Sequence, residues 1–420
     1  MERIKKFLFV NTNNKQTVIK NTFWLFVGDI GIKILKLILF VYAARKLGTS
    51  EWGIFSYSLA LMSTFAIISD IGINSVISRE AARKTDNLKE YISTGFFLKL
   101  GLSFISCFAL LSIMFFIKDN NTLKALIPIT TFMLFFDSIM GFGFTINRAF
   151  EKMEIEAFIK ILSAVCLMVL GFIFISKNPK AISLSYSYAI SGIIGVIIMY
   201  FFLGSYLNNL TSTFNKNLLK YIFKEALPIA IIGVIGTIMS NIDMIILGWF
   251  TNSSEIGLYS AAQKPIQIVY LIPSLIATAL SPVFSRLAIT DKEKIRGIIK
   301  QSLKFSLLIT IIVNIFIFTI GGYVFKIMFG PQYIESIPLF KIMGLAIITG
   351  APSLIISNAI FAFGKQKELI QFIIISLVLN IVLCLLLIPR FGIYGAAISV
   401  TIAQTMGNIF LIIKSNKILK

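Results

Sequence analysis

The fold of this protein is decided by its first long apolar segment, residues 21–45, which reads NTFWLFVGDIGIKILKLILFVYAAR. A helix over this segment is long enough to cross the hydrocarbon core of a bilayer, which needs about 20 predominantly apolar residues. Besides Arg45 at its end, the segment contains three charged side chains in its interior, those of Asp29, Lys33 and Lys36. It therefore predicts a transmembrane helix with a polar face.

Comparable apolar segments follow along the rest of the chain. Of its 420 residues, 57% are hydrophobic and only 14% are charged, whereas a soluble domain has about 25% charged residues. We predict an all-α integral membrane protein with about twelve transmembrane helices. The predicted spans are 21–45, 52–77, 91–117, 123–146, 155–176, 181–204, 224–249, 256–284, 301–322, 335–362, 367–388 and 392–413.

The net charge of +20 is explained by membrane topology. With an even number of spans, most lysines and arginines fall in segments on one side of the membrane, such as 78–90 and 286–304. Basic loops face the cytoplasm, so we predict a multi-pass membrane protein with both termini cytoplasmic and no nucleic-acid partner. Histidine is absent and the three cysteines lie far apart, so no metal site and no cofactor are expected.

An internal repeat divides the chain. The segment EWGIFS at 51–56 resembles EIGLYS at 255–260, which lies 204 residues further on. Together with the number of spans, this repeat predicts two six-helix bundles related by a pseudo-twofold axis along the membrane normal. The predicted parts are a cytoplasmic amphipathic lead-in (1–20), an N-terminal bundle (21–204), a cytoplasmic linker (205–223), a C-terminal bundle (224–413) and a cytoplasmic tail (414–420).

Charged side chains inside the spans are the candidate site, because each costs about 2.5–3.5 kcal/mol near the bilayer centre. Asp29, Lys33 and Lys36 are spaced i, i+4, i+7 and share one helical face. Either Asp29 pairs with Lys33 within the helix, or this face lines a water-filled cavity. The first interpretation leaves Lys36 uncompensated within the helix, so we favour the cavity.

The N-terminal half contains further candidates. Asp70 belongs to a polar stripe of span 2, which would form either a cavity wall or a hydrogen-bonded helix–helix seam. Lys99 lies in span 3, and Asp137 in span 4 could pair with Lys99 or with Lys33. Arg148 closes span 4 at the cytoplasmic side, where it is either an orientation charge or a substrate ligand.

The C-terminal half contributes Asp243 in span 7 and Lys264 in span 8. These two spans run antiparallel, so the side chains reach similar depths and could form a salt bridge or contact a substrate. A desolvated Asp tends to take up a proton. Protonated carboxyl groups would leave the lysines free to hold an anion and could couple transport to protons.

An ordered set of motifs resembles polysaccharide flippases of the Wzx type. The motifs are LGTSEWG at 47–53, SDIG at 69–72, DMIILG at 243–248, IGLY at 256–259, FGPQY at 329–333, FGK at 363–365, Asn380, and IPRFGIYGAA at 388–397. They span nearly the whole chain in order. The resemblance implies the fold of the multidrug/oligosaccharidyl-lipid/polysaccharide exporter superfamily.

The resemblance also implies a function, which is the flipping of undecaprenyl-diphosphate-linked O-antigen or capsule repeat units by alternating access. Lys33, Lys36 and Lys264 would then be point charges for the diphosphate. Lys stands in the first span where Arg is often used, so bidentate phosphate recognition is not implied there. The expected partners are this lipid-linked oligosaccharide, membrane lipids and a proton or sodium ion. The protein is expected to be a monomer that could associate with polysaccharide polymerase and chain-length machinery.

Two other functions compete with this interpretation. A drug or cation antiporter of the same fold would favour acidic cavity residues, and Lys33 and Lys36 argue against it. A membrane-embedded polysaccharide polymerase or glycosyltransferase would need a sizeable catalytic loop, and the predicted outside loops are short. We therefore predict a transporter and not an enzyme.

Overall fold

Helices make up nearly all of the protein. The computed structural model describes residues 9–82, 88–117, 120–207, 213–290 and 292–418, and no strand occurs within them. The helices are α1 (Asn14–Asp70), α2 (Ile73–Ala82), α3 (Leu88–Ser112), α4 (Asn121–Ala149), α5 (Met153–Lys177), α6 (Ala181–Leu207), α7 (Lys216–Phe250), α8 (Ser253–Val269), α9 (Leu271–Thr290), α10 (Lys292–Phe316), α11 (Gly322–Phe329), α12 (Ser336–Ala362) and α13 (Gln366–Ile418). This confirms the predicted all-α class.

The predicted spans correspond to these helices. Within the described residues, eight helical runs are long and apolar enough to cross a membrane, for example Leu88–Phe115 and Ser336–Ala362. Predicted span 1 and most of span 2 form the two arms of α1, while the end of span 2 belongs to α2. Span 8 is divided between α8 and α9, and spans 11 and 12 form the two arms of α13. Residues 1–8, 208–212 and 419–420 of the predicted lead-in, linker and tail lie outside the described residues.

Each of the two longest helices contains a kink at a glycine. In α1 the backbone of Gly48 has φ 78° and ψ 173°, and in α13 that of Gly392 has φ 55° and ψ −132°. Both values lie in the left-handed range that residues with a Cβ rarely adopt. Kinks of this kind redirect the chain between consecutive spans without a loop.

The first compact unit consists of Met1–Leu47 and Ser58–Thr237. Its buried apolar core joins α2 to side chains from α3, α4, α5, α6 and the first part of α7. The core residues are Ile73, Val76, Ile77, Ile92, Phe142, Ile146, Ile159, Met199, Leu203, Ile222 and Ala226. A helix interface of this composition excludes both water and lipid.

The beginning of α7 belongs to this first unit and is held there by α2. Gly72 has φ +77°, and a Cβ at this position would lie 2.7 Å from the carbonyl oxygen of Ala226. About two turns further along α2, the Arg79 guanidinium donates to the Glu225 carboxylate at 2.8 Å. This hydrogen bond raises the pKa of Arg79.

The second compact unit consists of Gly48–Tyr57 and Ile238–Lys420. Its core is formed by α9, α10, α12 and α13, and consists of Ala277, Phe284, Leu287, Ile295, Ile299, Ile355, Ile356, Ala359, Ile360, Leu369, Phe372 and Leu411. The units meet in sequence between Thr237 and Ile238, inside α7, whereas the predicted linker comprises residues 205–223. A short segment of α1 therefore packs with the second unit, and the first part of α7 packs with the first.

Candidate functional site

Helices α1 and α5 of the first unit approach each other closely. A Cβ added at Gly28 would lie 3.0 Å from the Cα of Ala157, and one added at Gly31 would lie 3.1 Å from the side chain of Ile161. Small residues permit this close approach of two helices in a membrane. As a result, Asp29 on α1 lies beside the charged side chains at the beginning of α5.

Four charged side chains form one connected network at this contact. Lys160 Nζ lies 2.6 Å from Asp29 Oδ1 and 2.8 Å from Glu156 Oε1. Glu156 is fully buried and also accepts from Arg148. Asp29 thus pairs across the helix contact with Lys160, and the intrahelical pair with Lys33 considered above does not form. The close packing at Gly28 is the physical reason, because it brings the Lys160 amine within reach.

Glu156 holds the Arg148 guanidinium in a fixed orientation. The Arg148 Nε donates to Oε2 at 2.8 Å and Nη2 donates to Oε1 at 2.6 Å, which is a bidentate pair. A guanidinium has five N–H donors, so donors remain beyond those used by Glu156. Because 44% of the Arg148 side chain is exposed, these donors are available to an anion.

The two lysines of the first span differ from Arg148 in their surroundings. Lys33 is exposed and, among the described residues, makes no ion pair. Lys36 is half-buried, and its Nζ lies 5.6 Å from the centroid of the Tyr188 ring, a cation–π distance. The charge of Asp137 attracts the Lys36 amine. These lysines add positive charge to a network in which Asp29, Glu156, Arg148 and Lys160 balance one another.

The remaining candidates of the first unit lie close together. Lys99 is buried and its Nζ lies 3.2 Å from Asp70 Oδ1, while 40% of the Asp70 side chain is exposed. Asp137 is exposed and attracts the amine of Lys99 as well as that of Lys36. Lys99 therefore pairs with Asp70, and Asp137 lies near two cations.

In the second unit, Asp243 is 1% exposed and receives hydrogen bonds from α8. The Tyr259 hydroxyl donates a short hydrogen bond to Asp243 Oδ2, and the Gln263 amide lies 3.5 Å from the same oxygen. Lys264 attracts Asp243 electrostatically. The Oδ1 atom of Asp243 is buried without a hydrogen-bond partner among the described residues, which is costly for a carboxylate.

Asp243 borders a cavity of about 150 Å³ that lies within the second unit. Its wall combines hydroxyl, amide, thioether and aliphatic side chains from four helices. The lining residues are Met239, Ser240, Asp243, Tyr259, Gln263, Ile266, Gln267, Tyr270, Met343, Ala346, Val400, Thr401 and Gln404. Such a mixture is typical of a site for a small polar ligand.

Sequence reasoning missed several members of these sites. Glu156 and Lys160 stand four residues apart at the start of a span, a spacing that signals an ion pair. Nothing in the sequence marks Tyr259 and Gln263 as site residues, because polar side chains are common on buried helix faces. Their contacts with Asp243 depend on how α7 and α8 pack.

Two family models match the chain. The model described as "Polysaccharide biosynthesis protein" matches residues 18–288, more than half of the chain, and the model described as "MatE" matches residues 228–386. The two matches overlap in α7, α8 and α9. Together they extend over most of the helices described above.

Curated relatives match nearly the whole chain. A Haloferax volcanii protein named "Probable low-salt glycan biosynthesis flippase Agl15" is 24% identical over 390 residues, which are 92% of this chain and 80% of the relative. The Staphylococcus aureus "Capsular polysaccharide biosynthesis protein CapF" is 24% identical over 404 residues, 92% of this chain and 96% of the relative.

Solved structures share the fold. The lipid II flippase MurJ in an inward closed conformation has a TM-score of 0.76 at 19% identity, with 93% of this chain and 87% of that chain covered. An inward-facing multidrug resistance MATE family transporter of the MOP superfamily has a TM-score of 0.75 at 15% identity, with 92% and 94% covered. These likenesses confirm the predicted exporter-superfamily fold.

Proposed function

Because the chain belongs to the polysaccharide biosynthesis protein family, we propose that it is a flippase for lipid-linked oligosaccharides. In this proposal it moves undecaprenyl-diphosphate-linked repeat units from the cytoplasmic to the outer leaflet of the bacterial plasma membrane. The movement occurs by alternating access and supplies O-antigen- or capsule-type polysaccharide synthesis. Relatives named as a glycan biosynthesis flippase and as a capsular polysaccharide protein support this proposal. The chain is a transporter and not an enzyme.

The observation that carries the proposal is the set of accessible cationic donors in the first unit. Lys33 is exposed, and Arg148 is both partly exposed and held in place by the buried Glu156. A diphosphate presents several acceptor oxygens and negative charge, and both a guanidinium fork and an ammonium bind such groups. Glu156 holds the Arg148 guanidinium in one orientation. Its N–H donors are therefore oriented before the substrate binds.

Transport against a gradient needs a coupled ion, and Asp243 is the group that we assign to it. Its carboxyl is buried, one oxygen is bonded by the Tyr259 hydroxyl, and the other has no partner within the described part of the chain. Binding of a proton would neutralise the charge of this buried carboxylate. Release of the proton would require the surroundings of Asp243 to change, which links its occupancy to a conformational step.

A drug or cation antiporter remains the second candidate function. The match of the "MatE" model to residues 228–386 favours it, because this range includes the buried carboxyl of Asp243. An organic cation would be attracted to Asp243 and repelled by Lys33 and Lys36 of the first unit. The two functions thus differ in whether basic or acidic side chains attract the substrate.

The two functions are separated by a transport assay with the purified protein in proteoliposomes. The probe is undecaprenyl diphosphate carrying one N-acetylglucosamine residue, loaded on one leaflet, and its appearance on the other leaflet is followed with an impermeant sugar-specific enzyme. We expect translocation that depends on the protein and is lost in Arg148→Ala. Ethidium efflux driven by a proton gradient, without any translocation of the lipid, would identify an antiporter and refute the flippase.

A further inference from the structure

The cavity of the second unit is lined by three glutamine amides, and only one of them contacts Asp243. Gln263 and Gln267 project from α8, and Gln404 projects from α13 on another side of the cavity. Gln263 contacts Asp243, whereas the amides of Gln267 and Gln404 have no hydrogen-bond partner among the described residues. A carboxamide donates and accepts at once, and so does a sugar hydroxyl.

One wall of this cavity is aromatic and firmly packed. A Cβ added at Gly350 would lie 2.3 Å from the Tyr270 hydroxyl oxygen and 2.7 Å from its Cε1 atom. The Tyr270 ring therefore lies directly against the backbone of α12. The ring supplies an apolar surface, and the neighbouring amides supply polar groups. Pockets for small ligands commonly combine the two.

The size of the cavity limits what it can hold. A protein cavity of about 150 Å³ accommodates a six-membered ring such as benzene, and the cavity here has about this volume. The wall is polar rather than purely apolar, so the ring that it fits is one that carries hydroxyl or acetamido groups.

The charge of the cavity argues for a neutral group. Asp243 is the one titratable carboxyl among its lining residues, and no lysine or arginine lines it. An anionic sugar or the diphosphate itself would find no lysine or arginine among the lining residues. Neutral donors and acceptors, in contrast, match the hydroxyls and carboxamides of this wall.

We propose that this cavity is a subsite for one neutral pyranose residue of the lipid-linked oligosaccharide, held by the amides of Gln267 and Gln404 against the ring of Tyr270. The inference rests on the proposed function and assigns a sugar contact to the second unit. It makes this cavity a determinant of which repeat unit is accepted.

The test compares two probes on the full-length protein in lipid nanodiscs. One is undecaprenyl diphosphate carrying one N-acetylglucosamine residue, and the other is undecaprenyl diphosphate without sugar. The double variant Gln267→Leu/Gln404→Leu keeps the side-chain size and removes the amides. Loss of two hydrogen bonds should weaken binding of the sugar-bearing lipid about tenfold and leave binding of the sugar-free lipid unchanged, which also reports that the protein is folded.

Gln301→Leu is the matched control, because Gln301 is exposed on α10 and does not line the cavity. It should bind both lipids like the wild-type protein. Equal binding of the two lipids by the wild-type protein would overturn the sugar subsite and leave the diphosphate site intact. Failure of both lipids to bind would overturn the proposed function as well. A double variant that changes only sodium-dependent thermal stability would assign the cavity to a cation instead.

Discussion

Gly257 packs against Thr49 so closely that a Cβ on the glycine would lie 1.9 Å from the Thr49 carbonyl oxygen. The reciprocal contact is present too, since a Cβ on Gly53 would lie 1.7 Å from the carbonyl oxygen of Ser253. Each residue of one pair lies 204 positions from its counterpart in the other. The Ser56 and Ser260 hydroxyls, also 204 residues apart, form a hydrogen bond of 2.8 Å. The repeat found in the sequence is therefore a symmetric helix contact.

The first prediction concerns this contact. Gly257→Ala should lower the free energy of unfolding by about 2–3 kcal/mol, because the added methyl group must displace backbone and not a flexible side chain. Thermal unfolding of the purified protein in detergent measures the effect. Gly101→Ala is the control, since a Cβ at Gly101 meets nothing within 4 Å. Equal melting temperatures for both variants would contradict the tight contact.

Hydropathy was sufficient to predict the helices, because membrane helices are long and uniformly apolar. The sequence also placed the break between spans 1 and 2 near Gly48. It did not reveal that the two helices meet at one non-helical residue, Gly48, with no loop between them. Likewise, α7 begins at Lys216, eight residues before its predicted span, because its polar first turns are held against α2 by Glu225.

The charge pairs could not be predicted from spacing alone. Asp29 had a potential partner four residues away in its own helix, yet it pairs with Lys160, 131 residues away. The choice depends on rotation of α1 about its axis, which is set by packing at Gly28 and Gly31. For the same reason the pairing of Lys99 with Asp70, and not with Asp137, required the structure.

The second prediction concerns Glu156. Glu156→Gln keeps the shape of the side chain but removes the charge that balances Arg148 and Lys160. Loss of a buried ionic partner is costly, and because Arg148 is partly exposed we expect a destabilisation of about 2 kcal/mol. Transport should fall about tenfold, because the Arg148 guanidinium is no longer held in one orientation by a charged partner.

Glu368→Gln provides the comparison for Glu156. Glu368 pairs with Lys414 at 3.4 Å, and both side chains are exposed by more than a third. Exposed pairs contribute less than about 1 kcal/mol, so this variant should melt and transport like the wild-type protein. If Glu156→Gln behaves like Glu368→Gln in both measurements, Glu156 does not position Arg148.

The third prediction concerns the lysines of α1. Lys33→Ala and Lys36→Ala should each abolish export of the lipid-linked oligosaccharide while the protein remains in the membrane. Export is measured by the accumulation of the undecaprenyl-linked unit on the cytoplasmic side in cells that lack the wild-type gene. Lys341→Ala is a suitable control, since the Lys341 amine lies 5.8 Å from the Phe318 ring in the second unit. Normal export by both α1 variants would remove these lysines from the site.

The fourth prediction separates coupling from substrate binding at Asp243. Asp243→Asn keeps the size of the side chain and can still accept from the Tyr259 hydroxyl, but it cannot exchange a proton. In proteoliposomes, the variant should therefore equilibrate the lipid between leaflets yet fail to respond to an imposed pH gradient. Tyr259→Phe should retain the response with reduced amplitude, because the carboxyl remains and only its hydrogen bond is lost. A pH-driven response of Asp243→Asn equal to that of the wild-type protein would show that the proton is carried elsewhere, since no other carboxyl lines this cavity.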